Sequence, residues 1–154
     1  MARPHERLNE LGITLPVVAA PAGSYVPARR TGSLVYTAGQ VPFVDGVLAA
    51  TGKVGAEVDP ARGAELARIC ALNALAAVEA LVGLDAVVGV VKVVGFVASA
   101  PGFGGQPGVI NGASDLLAEV FGEQGRHARS AVGVAELPLD APVEVELIVE
   151  VSVP

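Results

Sequence analysis

Residues 143–151 read VEVELIVEV, the most regular alternation in the chain. Successive side chains of a β-strand point to opposite faces. Val143, Val145, Leu147, Val149 and Val151 therefore share one face, and Glu144, Glu146, Ile148 and Glu150 share the other. The strand before it is expected over 130–136, with Val132 and Val134 as core candidates and Ala131, Gly133 and Ala135 opposite them beside Arg129. A tight hairpin through Leu137-Pro138-Leu139-Asp140 would pair Arg129 with Glu150 and Ala135 with Glu144. The acidic face is then either a solvated surface, with a cross-strand ion pair of up to about 1 kcal/mol, or a concave space left by small residues. Within one chain Arg129 and Glu144 would stand about six strand positions apart, roughly 20 Å. They reach a common ligand only when they come from different subunits.

Outward from this strand, residues 87–98 (VVGVVKVVGFVA) form an apolar, mostly β-branched run without alternation, which predicts a strand covered on both faces. Residues 33–40 (SLVYTAGQ) read as a strand. In VPFVDGVL after it, Asp45-Gly46 predicts a two-residue hairpin turn. Asp59-Pro60 supplies an N-cap and a first-turn proline for a helix that runs to Leu81 and stops at Gly83. A second helix is expected over about 109–121, after the Gly- and Pro-rich PGFGGQPG, and a short amphipathic helix over the first twelve residues, ending at Gly12. The order β-β-α-β-α-β-β predicts an α+β domain with two helices on one face of a mixed sheet. Residues 1–22 are read as an N-terminal extension and 23–154 as a single domain.

Composition narrows the function. The chain has 154 residues, 52% of them hydrophobic and 17% charged, which excludes disorder and fits one domain. So much Val and Ala in a small domain predicts an oligomer. Sixteen acids against ten bases give a net charge of −6. No basic stripe is visible, and a nucleic-acid partner is not expected. The apolar region 71–100 is broken by Asn73, Glu79, Asp85 and Lys92, which argues against a membrane span. Cys70 stands alone, so no disulfide framework is expected. The opening MARPHERLNEL has no apolar h-region, and a cytoplasmic protein without a leader is expected. Two distant histidines, His5 and His127, without paired cysteines make no metal site. Cys70 reads as buried filler, and Gly102-Phe103-Gly104-Gly105 as a mobile loop with Phe103 as its lid.

The segment HARSAVGVAELPLDAPVEVELIVEV resembles the C-terminal signature of the reactive-intermediate deaminase family, also called the YjgF or L-PSP endoribonuclease family. GSYVPA, TAGQVPF, Asn73 and Val109-Ile110-Asn111 follow the family's order and spacing, so the resemblance spans about Gly23 to Val151. It implies a chorismate-mutase-like fold assembled as a homotrimer with clefts between subunits. It also implies cofactor-independent, metal-free hydrolysis of amino-acid-derived enamines and imines, such as 2-aminoacrylate, to 2-oxo acids and ammonia. The family arginine matches Arg129, as anchor for a substrate carboxylate, and the family glutamate matches Glu144, as proton shuttle. Tyr25, Gly39 and Ala131 match positions that line the cleft, the last two through backbone groups.

This sequence departs from the family pattern at Ala38 (Ser in the family), Ala131 (often Cys) and His127 (commonly Pro), and the segment from Ala98 to His127 is longer. Two other readings stand beside the enzyme: a non-catalytic binding protein for small carboxylates, and an endoribonuclease, which the acidic charge disfavours.

Overall fold

The computed structural model describes residues 2–153. Ten elements follow in chain order: α1 (Pro4–Glu10), β1 (Ala28–Thr31), β2 (Leu34–Thr37), β3 (Phe43–Val44), β4 (Val47–Leu48), α2 (Pro60–Val82), β5 (Val87–Ala98), α3 (Gln106–Phe121), β6 (Ala128–Val134) and β7 (Val143–Val151). The main sheet has the order β1-β2-β7-β5-β6, and β3-β4 forms a separate ribbon. Only β5 and β6 run parallel, joined by α3 as crossover; the other pairs are antiparallel. This is the predicted α+β arrangement of a mixed sheet with two helices on one face.

Local chemistry sets the element ends. Asp59 caps α2 by accepting from Arg62 N at 2.8 Å, with Pro60 in the first turn, and Gly83 closes the helix. Asp45 (φ 50°) and Gly46 (φ 81°) make the turn between β3 and β4. The inward row of β7, from Val143 to Val151, is buried with Val35, Val93 and Val97 beneath Leu66, Leu75, Ile110, Leu116 and Leu117 of the helices. The two helices nearly touch: a Cβ on Gly112 of α3 would collide with the Ala64 carbonyl of α2. Leu8 of α1 is buried in the same core.

Three expectations are corrected. First, β6 and β7 do not form a hairpin, because β5 lies between them. With β6 on one side and β7 on the other, the apolar β5 has ladder partners along both edges. Second, the inward row of β6 is Arg129, Ala131 and Gly133, opposite Val93, Gly95 and Val97. Val132 sits on the outer face at 44% exposure, and Val134 is only part-buried. Third, β5 is covered on one face in this chain: Val87, Val90, Val93 and Val97 are buried, while Val88 and Val91 are exposed where its register with β7 shifts. A further strand, β1, pairs with β2, and α3 begins at Gln106, three residues before Val109.

Gly112→Ala is expected to destabilise the protein by about 1–3 kcal/mol, because the clash with α2 outweighs the helix propensity gained. Gly108→Ala, in the same helix with nothing within 4 Å of its would-be Cβ, should hold or slightly raise Tm. Paired thermal melts check both.

Candidate active site

The site begins where β2 leaves its partner β7. The ladder runs as far as Tyr36 opposite Ile148, and pairing resumes at Gln40, which exchanges backbone bonds with Val145 at 2.8 and 3.0 Å. In the gap the Thr37 hydroxyl accepts from Leu147 N at 2.9 Å and stands in for a strand carbonyl. Ala38 N donates to Pro27 O at 2.8 Å. Gly39 is thereby set against Glu144: a Cβ there would lie 2.8 Å from the carboxyl carbon. Only glycine gives the carboxylate this room.

Glu144 is on the outer face of β7, opposite Phe96. It shares a cavity of about 350 Å³ with Tyr25, Gly39, Val41, Phe43 and Leu139. Asn73, 3% exposed on α2, fixes one wall by donating to Val41 O and Phe43 O, both at 3.1 Å. Ala22 N donates to the Tyr25 hydroxyl at 3.2 Å, which ties residues 19–22 into another wall. Burial raises the Glu144 pKa, and the neighbouring Glu146 raises it further. The group is thus a half-buried carboxyl at the edge of the cavity, ionising less readily than a solvated glutamate. Behind it Cys70 is fully buried, its thiol pKa pushed up by desolvation and then by Glu144, and it donates to Val143 O at 3.6 Å. It is inert filler.

The structure therefore unites Tyr25, Gly39 and Glu144 and separates the other expected site residues. Arg129 is on the opposite face of the sheet from Glu144, since it pairs with Val93, which pairs with Leu147. The expectation that Arg129 and Glu144 share a face fails because β5 intervenes and changes the register. From β6 the Arg129 side chain reaches α3, its Nη1 donating to Asn111 Oδ1 at 2.7 Å and Ser114 Oγ at 3.1 Å, and its Nη2 to the Pro107 carbonyl at 3.3 Å. Ala131 packs against the core. Phe103 is part-buried against Gly55 and Gly105, outside the cavity. Ser114 and Thr37 were not legible as site residues, because each acts through a contact distant in sequence. Among the described residues no group of three or more His, Cys, Asp or Glu is placed to hold a metal, and no helix is long and apolar enough to cross a membrane.

A mixed sheet backed by two helices, with a carboxyl-bearing cavity at a strand break, defines the class: a small α+β protein with a candidate site at that break. The family model described as "YjgF/chorismate_mutase-like, putative endoribonuclease" matches residues 5–151, and the chain belongs to that family. It is 48% identical over 147 residues to Protein TCP17 of Trypanosoma cruzi, covering 94% of this chain and 92% of that one. The crystal structure of Atu1372 from Agrobacterium tumefaciens, of unknown function, superposes with TM-score 0.89 at 50% identity, over 97% of this chain and 92% of that one. The crystal structure of E. coli TdcF with bound serine superposes with TM-score 0.65 at 25% identity, over 90% of this chain and 96% of that one.

The raised Glu144 pKa carries a sign. Folding favours the protonated carboxyl, so the group's cost to stability is absent at low pH and grows as pH rises from the ordinary carboxylate range through the raised folded value. Glu144→Gln should therefore hold or raise Tm at neutral pH, with the difference from wild type shrinking as pH falls toward about 4.3. Melts across a pH series check this.

Proposed function

We propose that this protein hydrolyses small carboxylate-bearing enamines and imines to 2-oxo acids and ammonia, in clefts between the subunits of a homotrimer. The observation that carries the reading is a split site. One protomer offers a cavity with Tyr25, Gly39 and a half-buried acid, Glu144, and the same protomer offers Arg129 on the other face, on an edge strand. By register the two residues stand two strands and three positions apart, roughly 10 Å in each direction, and they point oppositely. Juxtaposed copies bring the halves together. The outer face supports such an assembly: beside Glu144, Glu146, Glu150 and Lys92 it carries the exposed Tyr36 and Val132 and the part-buried Val94, Phe96 and Ile148. TdcF, a relative with this fold, holds an amino acid, serine.

In this scheme Arg129 grips the substrate carboxylate. Protonated Glu144 gives its proton to the enamine carbon, which yields an iminium ion. As carboxylate it then takes a proton from a water whose oxygen bonds to the iminium carbon. Glu144 returns that proton to the nitrogen of the resulting carbinolamine; the C–N bond then breaks with its electron pair leaving on ammonia, while the hydroxyl proton passes to Glu144, which leaves the 2-oxo acid and the protonated carboxyl of the starting state. Burial beside the cavity lets Glu144 hold its proton to higher pH than a solvated glutamate does.

Purified protein should accelerate the hydrolysis of enzymatically generated iminopyruvate, and no acceleration over buffer for several such imines would reject the reading. Binding of 2-oxo acids without turnover would instead favour the non-catalytic binding protein. Arg129→Ala should lower kcat/KM by about 10- to 150-fold, the loss expected for a charged hydrogen bond, and Glu144→Gln should lower kcat. Because the site is split, refolding the two variants together should regenerate intact sites at about a quarter of the seams. Recovery of activity in that mixture, with light scattering for the trimer, separates a shared site from one contained in a single protomer.

A further inference from the structure

Arg129 is held by a directional chain of hydrogen bonds that ends on a backbone carbonyl. The His127 ring lies 2.7 Å from Gly125 O through Nδ1 and 2.9 Å from Ser114 Oγ through Nε2. A carbonyl only accepts, so Nδ1 carries the proton, and in the neutral ring Nε2 accepts from the Ser114 hydroxyl. With its own hydrogen committed to His127, the Ser114 oxygen presents lone pairs to Arg129 Nη1 at 3.1 Å. The far end is fixed by packing: a Cβ on Gly125 would run into the Leu117 carbonyl of α3, so only glycine sits there. The near end is fixed by one stripe of α3, where Pro107, Asn111 and Ser114 recur at intervals of four and three.

We infer that Ser114 and His127 are positioning residues that orient the Arg129 guanidinium for side-on capture of a carboxylate. Of the five guanidinium N–H groups, Asn111 and Ser114 take both on Nη1, and the Pro107 carbonyl takes one on Nη2. One N–H is left on each of Nε and Nη2, the two atoms that form one edge of the fork. A carboxylate has two oxygens to bridge that edge. Without Ser114 the Nη1 group loses one of its two acceptors, and the edge is free to turn. Without His127 the Ser114 hydroxyl is free to rotate and point its hydrogen at the guanidinium. The inference rests on Arg129 as the carboxylate anchor, and its test separates the two claims.

The test compares full-length wild type with Ser114→Ala, His127→Leu and His127→Gln, the last keeping an amide oxygen as acceptor for Ser114. Thermal melts establish that each is folded. NMR of protein labelled with 15N-arginine reports whether the Arg129 Nη groups give distinct, slowly rotating signals, and calorimetry with 2-oxobutyrate reports carboxylate binding. Expected are distinct Nη signals in wild type and His127→Gln, and collapsed signals in Ser114→Ala and His127→Leu. The latter two should bind 2-oxobutyrate about 3- to 10-fold more weakly, the size of one lost hydrogen bond, with KM for imines raised and kcat nearly held. Freely rotating Nη groups in wild type, or equal affinity in all four proteins, would overturn the inference, as would His127→Gln behaving like His127→Leu. If wild type binds no 2-oxo acid but its Nη signals are distinct and collapse in Ser114→Ala, the functional reading fails and the positioning of Arg129 stands.

Discussion

The double pairing of β5 decides where everything else can be. A strand that bonds along both edges locks its neighbours into one register and one alternation of faces. Phe96 brings Glu144 and Val132 with it on the outer face, and Val93 brings Leu147 and Arg129 on the helix side. A slip of one residue would exchange the acid for the core valines of β7 and is opposed by the whole buried row. The guanidinium and the carboxyl are therefore kept apart within one chain by the same hydrogen bonds that make the sheet. For two such groups to serve one small ligand, a second copy must supply one of them, and this makes the proposed assembly part of the chemistry.

The acid and the arginine are also held in opposite ways. Glu144 is kept by exclusion: Gly39 stands back, the cavity walls are apolar, and its nearest acidic neighbour discourages ionisation. Arg129 is kept by contact, through three acceptors on α3. On the proposed function, an acid that must deliver a proton gains from surroundings that favour its protonated form. An anchor gains from a fixed fork, because less ordering remains to be done when the carboxylate arrives.

Much of the architecture was legible because its signals are local. The alternation of VEVELIVEV, the Asp45-Gly46 turn, and the Asp59-Pro60 start and Gly83 stop of α2 each need only a few neighbouring residues, and the structure carries all of them. What stayed hidden depends on pairing across the chain. β1 is four residues long and carries Arg29 and Arg30, so nothing in its own composition marks a strand. The insertion of β5 between β6 and β7 joins segments that are not neighbours in sequence, while a short connection with Leu-Pro-Leu-Asp reads as a hairpin. By bulk alone Val132 takes the core side and Arg129 the outer face, whereas the ladder with β5 turns Arg129 and Ala131 inward. Glu144, Gly39 and Tyr25 were reached through the family pattern, and the cavity assembles them from three separate segments.

The departures from that pattern differ in physical weight. At Ala38 the backbone does the structural work: its N–H bonds Pro27 O, and the break in β2 is held by Thr37 and Gln40 on either side. At Ala131 a small side chain packs inward against the core. Both tolerate the loss of a polar side chain, since the geometry around them is made by main-chain bonds and burial. His127 is different in kind, for it adds a ring where the family commonly has proline, and proline has neither a ring acceptor for Ser114 nor a donor for Gly125 O. The histidine comes with a serine one helical turn past Asn111 and two past Pro107, and with a glycine that alone fits against α3. A residue that draws a serine, a carbonyl and the arginine into one chain of hydrogen bonds acts on the arginine, and on the proposed function that effect falls on carboxylate recognition.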